Sequence, residues 1–174
     1  MQKTSLFLLF IGLCMLALSA CDVPNGDGSY TSVDQTSSQQ NSQSSSGATD
    51  YRSMAYQDAI DAHISPDLYV KQINQESGFN PNAYSSAGAI GIAQIMKATA
   101  DSWGVNPWEP VSSLNVAAQH MYWYYAHYNN NYAKALAAYN AGTGTVDNAV
   151  YYYGSDWEQH MPYETQGYIS AIMG

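Results

Sequence analysis

Beyond Cys21 the sequence contains no cysteine, its only two thiols being Cys14 and Cys21. Everything that follows is therefore excluded from disulfide bonding, zinc–thiolate coordination and thiol catalysis. Basic residues are also scarce, with 5 Lys and Arg against 14 Asp and Glu and a formal net charge of −9. A chain this acidic lacks the electrostatic footprint of a nucleic-acid binder. It exerts no long-range pull on other anionic polymers or on lipid headgroups, so any polymer it holds must be gripped by short-range hydrogen bonding and stacking. The four histidines, His63, His120, His127 and His160, lack the spacing of a metal motif, although His120 and His127 share a helix face. They read as packing or exposed polar groups, and neither a metal nor a cofactor is expected. What is abundant is aromatic: 16 Tyr and 4 Trp, which suit both core packing and flat contact surfaces.

The N-terminus reads as an address. Lys3 forms a small basic region before "SLFLLFIGLCMLALSA", an apolar run short for a membrane span and suited to the core of a signal peptide. It ends in "LSAC" (Leu18 to Cys21), which resembles the lipobox of bacterial lipoproteins, where the cysteine is acylated and becomes the mature N-terminus. Residues 1–20 are expected to be a lipoprotein signal and Cys21 a lipidation site. Loss of Lys3 with this leader takes the formal charge from −9 to −10, since every Asp and Glu follows Cys21. Residues 21–51, including "TSVDQTSSQQNSQSSSGATD", are rich in Ser and Gln and almost without large aliphatic side chains. Such a segment cannot bury enough apolar area to fold, and a coil of ~30 residues spans roughly 30 Å on average. It is expected to tether a membrane anchor to a working domain at residues 52–174.

In that domain helical spacing alternates with Gly and Pro punctuation, without strand alternation or an internal repeat, and predicts a compact all-α fold. "SPDLYVKQINQES" starts with Ser65 as N-cap, Pro66 at the first helical position and Asp67 in the first turn, and stops before Gly78. Further helices are predicted at "KATADSW", "LNVAAQHMYWYYAHY", "NYAKALAAYN" and "PYETQGYISAIM". Leu114, Ala118, Met121, Tyr122 and Tyr125 form a stripe at helical spacing that reads as core. "AGTGTV" lacks the Lys-Ser/Thr sequel and the preceding strand of a phosphate loop, and reads as a helix break.

Glu76 closes the first of these helices, with Tyr69, Gln72 and Ile73 at i−7, i−4 and i−3 on the same face. Apolar company disfavours ionisation and raises a carboxyl pKa by roughly one or two units, enough to make a general acid near neutrality. From spacing alone Glu76 is equally a helix end or a catalyst. The residues after it bear on that choice. "ESGFNPNAYSSAGAIGIAQIM" (Glu76 to Met96) resembles the signature of the lytic transglycosylase catalytic domain, whose fold is related to goose-type lysozyme. "AYNAG" (Ala138 to Gly142) and "PYETQGYI" (Pro162 to Ile169) continue the resemblance in the same order.

The resemblance implies that Glu76 is the sole catalytic acid and base. It further implies that Ser85 contacts the substrate's N-acetyl group and that Gln94, Met96, Tyr139 and Asn140 line a saccharide groove, with Glu164 organising the cleft. Tyr168, in the same motif, has a packing role as its equal alternative, and Phe79 is expected beneath the loop. Two positions depart from the family pattern: Ala93, where Met is frequent, is expected to widen a subsite, and Lys97, where Pro is frequent, to alter a helix start. Asp101, Glu109, Asp147, Asp156 and Glu158 are the candidates for a second carboxylate, with solvated loop or cap roles as the simpler assignment.

The implied reaction is cleavage of the β-1,4 bond between N-acetylmuramic acid and N-acetylglucosamine in peptidoglycan, without water, leaving a 1,6-anhydro end. The implied partners are glycan strands and, through the lipid anchor, a bacterial membrane, with the domain outside the cytoplasm, facing the wall and monomeric. Two alternatives stand beside this: a lysozyme-like muramidase hydrolysing the same bond, and a non-catalytic wall-binding lipoprotein.

Overall fold

A computed structural model describes residues 49–174. The leader, Cys21 and the Ser/Gln-rich stretch up to residue 48 lie outside the described residues. Among the described residues the elements run α1 (Tyr51–Asp61), α2 (Pro66–Ser77), β1 (Ala89–Ile90), β2 (Ile95–Met96), α3 (Lys97–Trp103), α4 (Pro110–His127), α5 (Tyr132–Ala141) and α6 (Thr143–Tyr153). A 3-10 helix (Gly154–His160) and α7 (Tyr163–Met173) complete them. The fold is all-α apart from β1 and β2, which pair antiparallel with Ala89 opposite Met96 and Ile90 opposite Ile95.

The best-marked helix in the sequence keeps its predicted ends. Ser65 caps α2 by accepting a hydrogen bond from the Leu68 N–H, Pro66 opens the helix, and Gly78 closes it in the left-handed conformation, φ 61° and ψ 30°. α3 begins at Lys97, as expected of a helix start there. α4 begins earlier than the apolar pattern suggested, at Pro110. α1, α6 and the 3-10 helix were not singled out by periodicity. Gly142 does break the helix, with φ 83° and ψ 149°, yet α6 resumes at once from Thr143.

Small side chains build the core. α5 buries Tyr132, Ala135, Leu136, Ala137 and Ala138, a helix buried on most of its circumference, and it packs against α4, α6 and α7. Its alanines let neighbours approach closely, while Leu114, Met121, Leu136 and Ile172 fill the remaining volume with no exposure. Each such side chain contributes roughly 1.5–3 kcal/mol by leaving water. The expected stripe on α4 is only partly core: Leu114, Ala118 and Met121 are fully buried, but Tyr122 is 46% exposed. Its ring meets His63 edge-on at the surface, because the helix turns that flank past its neighbours.

Two connections fix the end of α2. The Tyr69 hydroxyl donates to the Leu114 carbonyl at 2.6 Å, tying α2 to α4, and the Ser77 hydroxyl donates to the Ile92 carbonyl at 2.6 Å, tying its last turn to the hairpin. α2 also packs against α7, which brings two sequence-distant motifs to one place.

Candidate active site

Glu76 lies in the last turn of α2, where Tyr69, Gln72 and Ile73 on its face are all fully buried. Helix spacing thus delivers the carboxyl to the edge of the core. Its Oε1 accepts a short hydrogen bond from the Tyr168 hydroxyl of α7. Three influences then set its protonation. Desolvation, the largest, raises its pKa; the Tyr168 hydrogen bond favours the carboxylate and lowers it; the negative charge of Glu164 raises it again. The balance takes Glu76 from an ordinary 4.5 up to about 7. That exceeds the rise expected from the helix face alone; the Glu164 charge comes from an element far along the chain. Burial, followed by the nearby Glu76 charge, holds the phenols of Tyr168 and Tyr139 protonated, well above the usual range.

A cleft of about 710 Å³ opens over Glu76. Ser85, Gln94, Met96, Tyr139, Asn140 and Glu164 all line it, together with Tyr168. Their polar atoms are held in place. The Ser85 hydroxyl oxygen accepts from the Ala89 N–H at 2.9 Å, the Gln94 amide donates to the Gly91 carbonyl at 2.9 Å, and the Tyr139 hydroxyl donates to the Ala93 carbonyl at 2.7 Å. Asn140 accepts at Oδ1 from the buried Thr165 hydroxyl at 2.8 Å, which leaves its amide N–H groups uncommitted. Met96 stands 46% exposed on the wall. A smaller hollow of about 210 Å³ shares Gln94, Met96, Tyr139 and Asn140, so the depression continues past the cleft towards Trp103 and Tyr124.

The structure corrects one expectation about the cleft wall. Ala93 is fully buried and does not line the cleft, so its small side chain widens no subsite; its role there is the carbonyl that receives Tyr139. Tyr168 is the residue that sequence reasoning undervalued: it is packed at 6% exposure and also bonded to Glu76. Phe79 is half-buried against the core, with the Arg52 guanidinium 4.7 Å above its ring.

The remaining carboxylates lie elsewhere. Asp101 pairs with Lys97 at 2.8 Å on the exposed side of α3, and Asp147 accepts from the Tyr128 hydroxyl at 3.0 Å. Glu109 precedes α4 at its N-cap position, while Asp156 and Glu158 line a separate hollow by the 3-10 helix. Among the described residues no cluster of His, Cys, Asp and Glu could hold a metal ion. His120 stacks on Trp103 at 3.8 Å between ring centroids, and burial lowers its pKa. No described helix is long and apolar enough to cross a membrane.

With this geometry in place, comparison with known proteins shows what it resembles. Residues 53–161 match the family described as the transglycosylase SLT domain. The soluble lytic murein transglycosylase of Salmonella typhimurium is 31% identical over 127 residues, covering 63% of this chain and 20% of that protein. A peptidoglycan transglycosylase of Escherichia phage T7 is 33% identical over 102 residues, covering 53% of this chain and 8% of its own length. The crystal structure of the 70 kDa soluble lytic transglycosylase from Escherichia coli superposes with a TM-score of 0.64 at 25% identity, over 71% of this chain and 23% of that one. The chain thus spans less than a quarter of the length of each of these relatives.

Proposed function

Because this chain belongs to the transglycosylase SLT domain family, we propose that it cleaves peptidoglycan as a lytic transglycosylase, with Glu76 as its single acid and base. The observation that carries this reading is a carboxyl at the floor of an open cleft, bonded to Tyr168 and poised at about 7. A group with that pKa is substantially protonated near neutrality and can give up its proton and take one back.

In this reading a single carboxyl serves the whole reaction. Glu76 protonates the oxygen of the β-1,4 bond between N-acetylmuramic acid and N-acetylglucosamine, and that bond breaks. Positive charge develops at C1, and the substrate's own 2-acetamido oxygen stabilises it. The Tyr168 hydroxyl stabilises the carboxylate just formed. The C6 hydroxyl of the muramic acid then attacks C1 while returning its proton to Glu76. The products are a free 4-hydroxyl and a 1,6-anhydro-N-acetylmuramyl end, and Glu76 is protonated again. General acid–base help of this kind contributes ~10²–10⁴-fold.

Glycoside hydrolases ordinarily place two carboxylates across the bond. Glu164 is the other carboxylate in this cleft, on a solvent-exposed turn of α7. It acts through its charge on Glu76, with the substrate's acetamido group taking the place of a second protein carboxylate. Ser85 contacts the acetamido group, and Gln94, Met96, Tyr139 and Asn140 hold the sugars. Cys21 carries the lipid that keeps the domain at the membrane and facing the wall.

Assay of purified peptidoglycan tests this directly. The wild-type chain is expected to release soluble anhydro-ended fragments, and Glu76→Gln to lose activity by at least about a hundredfold while still sedimenting with the polymer. Full activity in that variant contradicts the assignment of Glu76.

A further inference from the structure

Tyr84 and Trp108 lie 24 positions apart in the chain, yet their rings stand nearly parallel, 13° between planes and 6.3 Å between centroids. Both remain open to solvent, Tyr84 at 66% and Trp108 at 46% exposure. Isolated exposed aromatics are ordinary, but two stacked rings that both stay open to solvent leave aromatic surface uncovered that core packing does not explain.

The backbone around them is firmly fixed. Tyr84 bridges Ile90 on the edge of the hairpin. On the other side, the Trp108 N–H donates to the Asn106 side-chain oxygen at 3.2 Å, within a turn closed by the Glu109 N–H on the Asn106 carbonyl at 3.0 Å. That turn is pressed onto the hairpin at Gly91, where an added Cβ would lie 2.0 Å from the Pro107 carbonyl oxygen. The missing side chain at Gly91 therefore lets the two segments meet and the two rings align.

Tyr84 borders the cleft, with Trp108 stacked on it. Ser85, next to Tyr84, lines it, as do Ser86, Ala87 and Ala89. The Tyr84 hydroxyl and the methyl carbon of the cleft-lining Met96 both lie within 4 Å of one point, the position of a Cβ on Gly88. A glycan strand seated over Glu76 and longer than the cleft must cross its rim. Pyranose rings carry apolar C–H faces that pack on aromatic faces, and a chain of net charge −9 needs such short-range contacts to hold an anionic polymer.

Resting on the proposed reading of the cleft as a glycan site, we propose that Tyr84 and Trp108 form a stacking platform for a sugar of the strand beyond those bound over Glu76. The platform extends the binding site along the polymer and favours long strands over short fragments.

The test uses the full chain in detergent, carrying Glu76→Gln so that binding is read without turnover. The probes are the disaccharide and the hexasaccharide of β-1,4-linked N-acetylglucosamine. Adding Tyr84→Ala and Trp108→Ala together is expected to weaken hexasaccharide binding about tenfold and to leave disaccharide binding unchanged. Trp108→Phe, which keeps an aromatic face, is expected to retain most of the preference for length. Unchanged hexasaccharide affinity overturns the platform. Equal weakening of both ligands also overturns it, since the pair then only shapes the cleft. Turnover of peptidoglycan by the wild-type chain is measured alongside. A chain that prefers long glycans through this pair but never cleaves contradicts the catalytic reading and leaves the platform standing; a chain that cleaves but shows no effect of the pair does the reverse.

Discussion

At the scale of single residues, Glu76 is held between opposing influences, and each can be removed separately. Tyr168 donates to the carboxylate and lowers its pKa, whereas the Glu164 charge raises it. Tyr168→Phe is therefore expected to move the alkaline limb of the kcat/KM profile to higher pH while lowering its maximum. Glu164→Gln is expected to move the same limb to lower pH. Opposite shifts identify both residues as tuning one titrating group, and a pH–rate series on the two variants reads them out. Shifts in the same direction contradict the account. Glu76, Ser85, Gln94 and Met96 were legible because one continuous stretch carries them, and Tyr139, Asn140 and Glu164 because two further short motifs follow in order. Tyr168 was not legible in the same way. Its hydroxyl meets Glu76 across 92 positions of chain, and a tyrosine in a helix looks the same whether it fills the core or bonds a carboxyl.

At the scale of elements, the helices that could be read were those whose ends carry their own chemistry. α2 has Ser65, Pro66 and Gly78 as local stop and start signals, and it folds between them. α6, with Gly144 and three consecutive tyrosines at its end, has weak intrinsic preference; burial of Val146 and Ala149 against its neighbours holds it. The hairpin was hidden for another reason. Two-residue strands are too short to show alternation, and the turn between them depends on Gly91 meeting Pro107. Gly91→Ala is accordingly expected to cost about 2 kcal/mol or more, because φ is +72° and the new Cβ has no room. Denaturant unfolding measures this. A cost within experimental error contradicts the close approach described here.

At the scale of the whole molecule, the buried Glu76 carboxyl works against the fold. Glu76 titrates at about 7 in the folded chain against an ordinary 4.5. A raised folded-state pKa means that its neutral form suits the native site. The associated stability is fully present below about pH 4.5 and is lost as pH rises through about 7. The loss amounts to roughly 3 kcal/mol, at 1.4 kcal/mol per unit. Glu76→Gln is expected to abolish that dependence, so that the variant is more stable than wild type above about pH 7 and similar to it near pH 4. Thermal melts of the two chains across this window compare them, and parallel curves contradict the raised pKa. The overall architecture follows from the same economy of parts: α2 and α7 meet in the packed fold, and only there do the acid and its hydrogen-bond donor form one site.

The central claim is that one carboxyl breaks the glycan bond without water, the substrate's C6 hydroxyl being the nucleophile. Mass spectrometry of peptidoglycan digested by the wild-type chain in water labelled with heavy oxygen tests it most directly. The account predicts anhydro-N-acetylmuramyl ends, one water lighter than reducing ends and free of label. Reducing ends that carry the heavy oxygen contradict it, and identify the enzyme as a hydrolase.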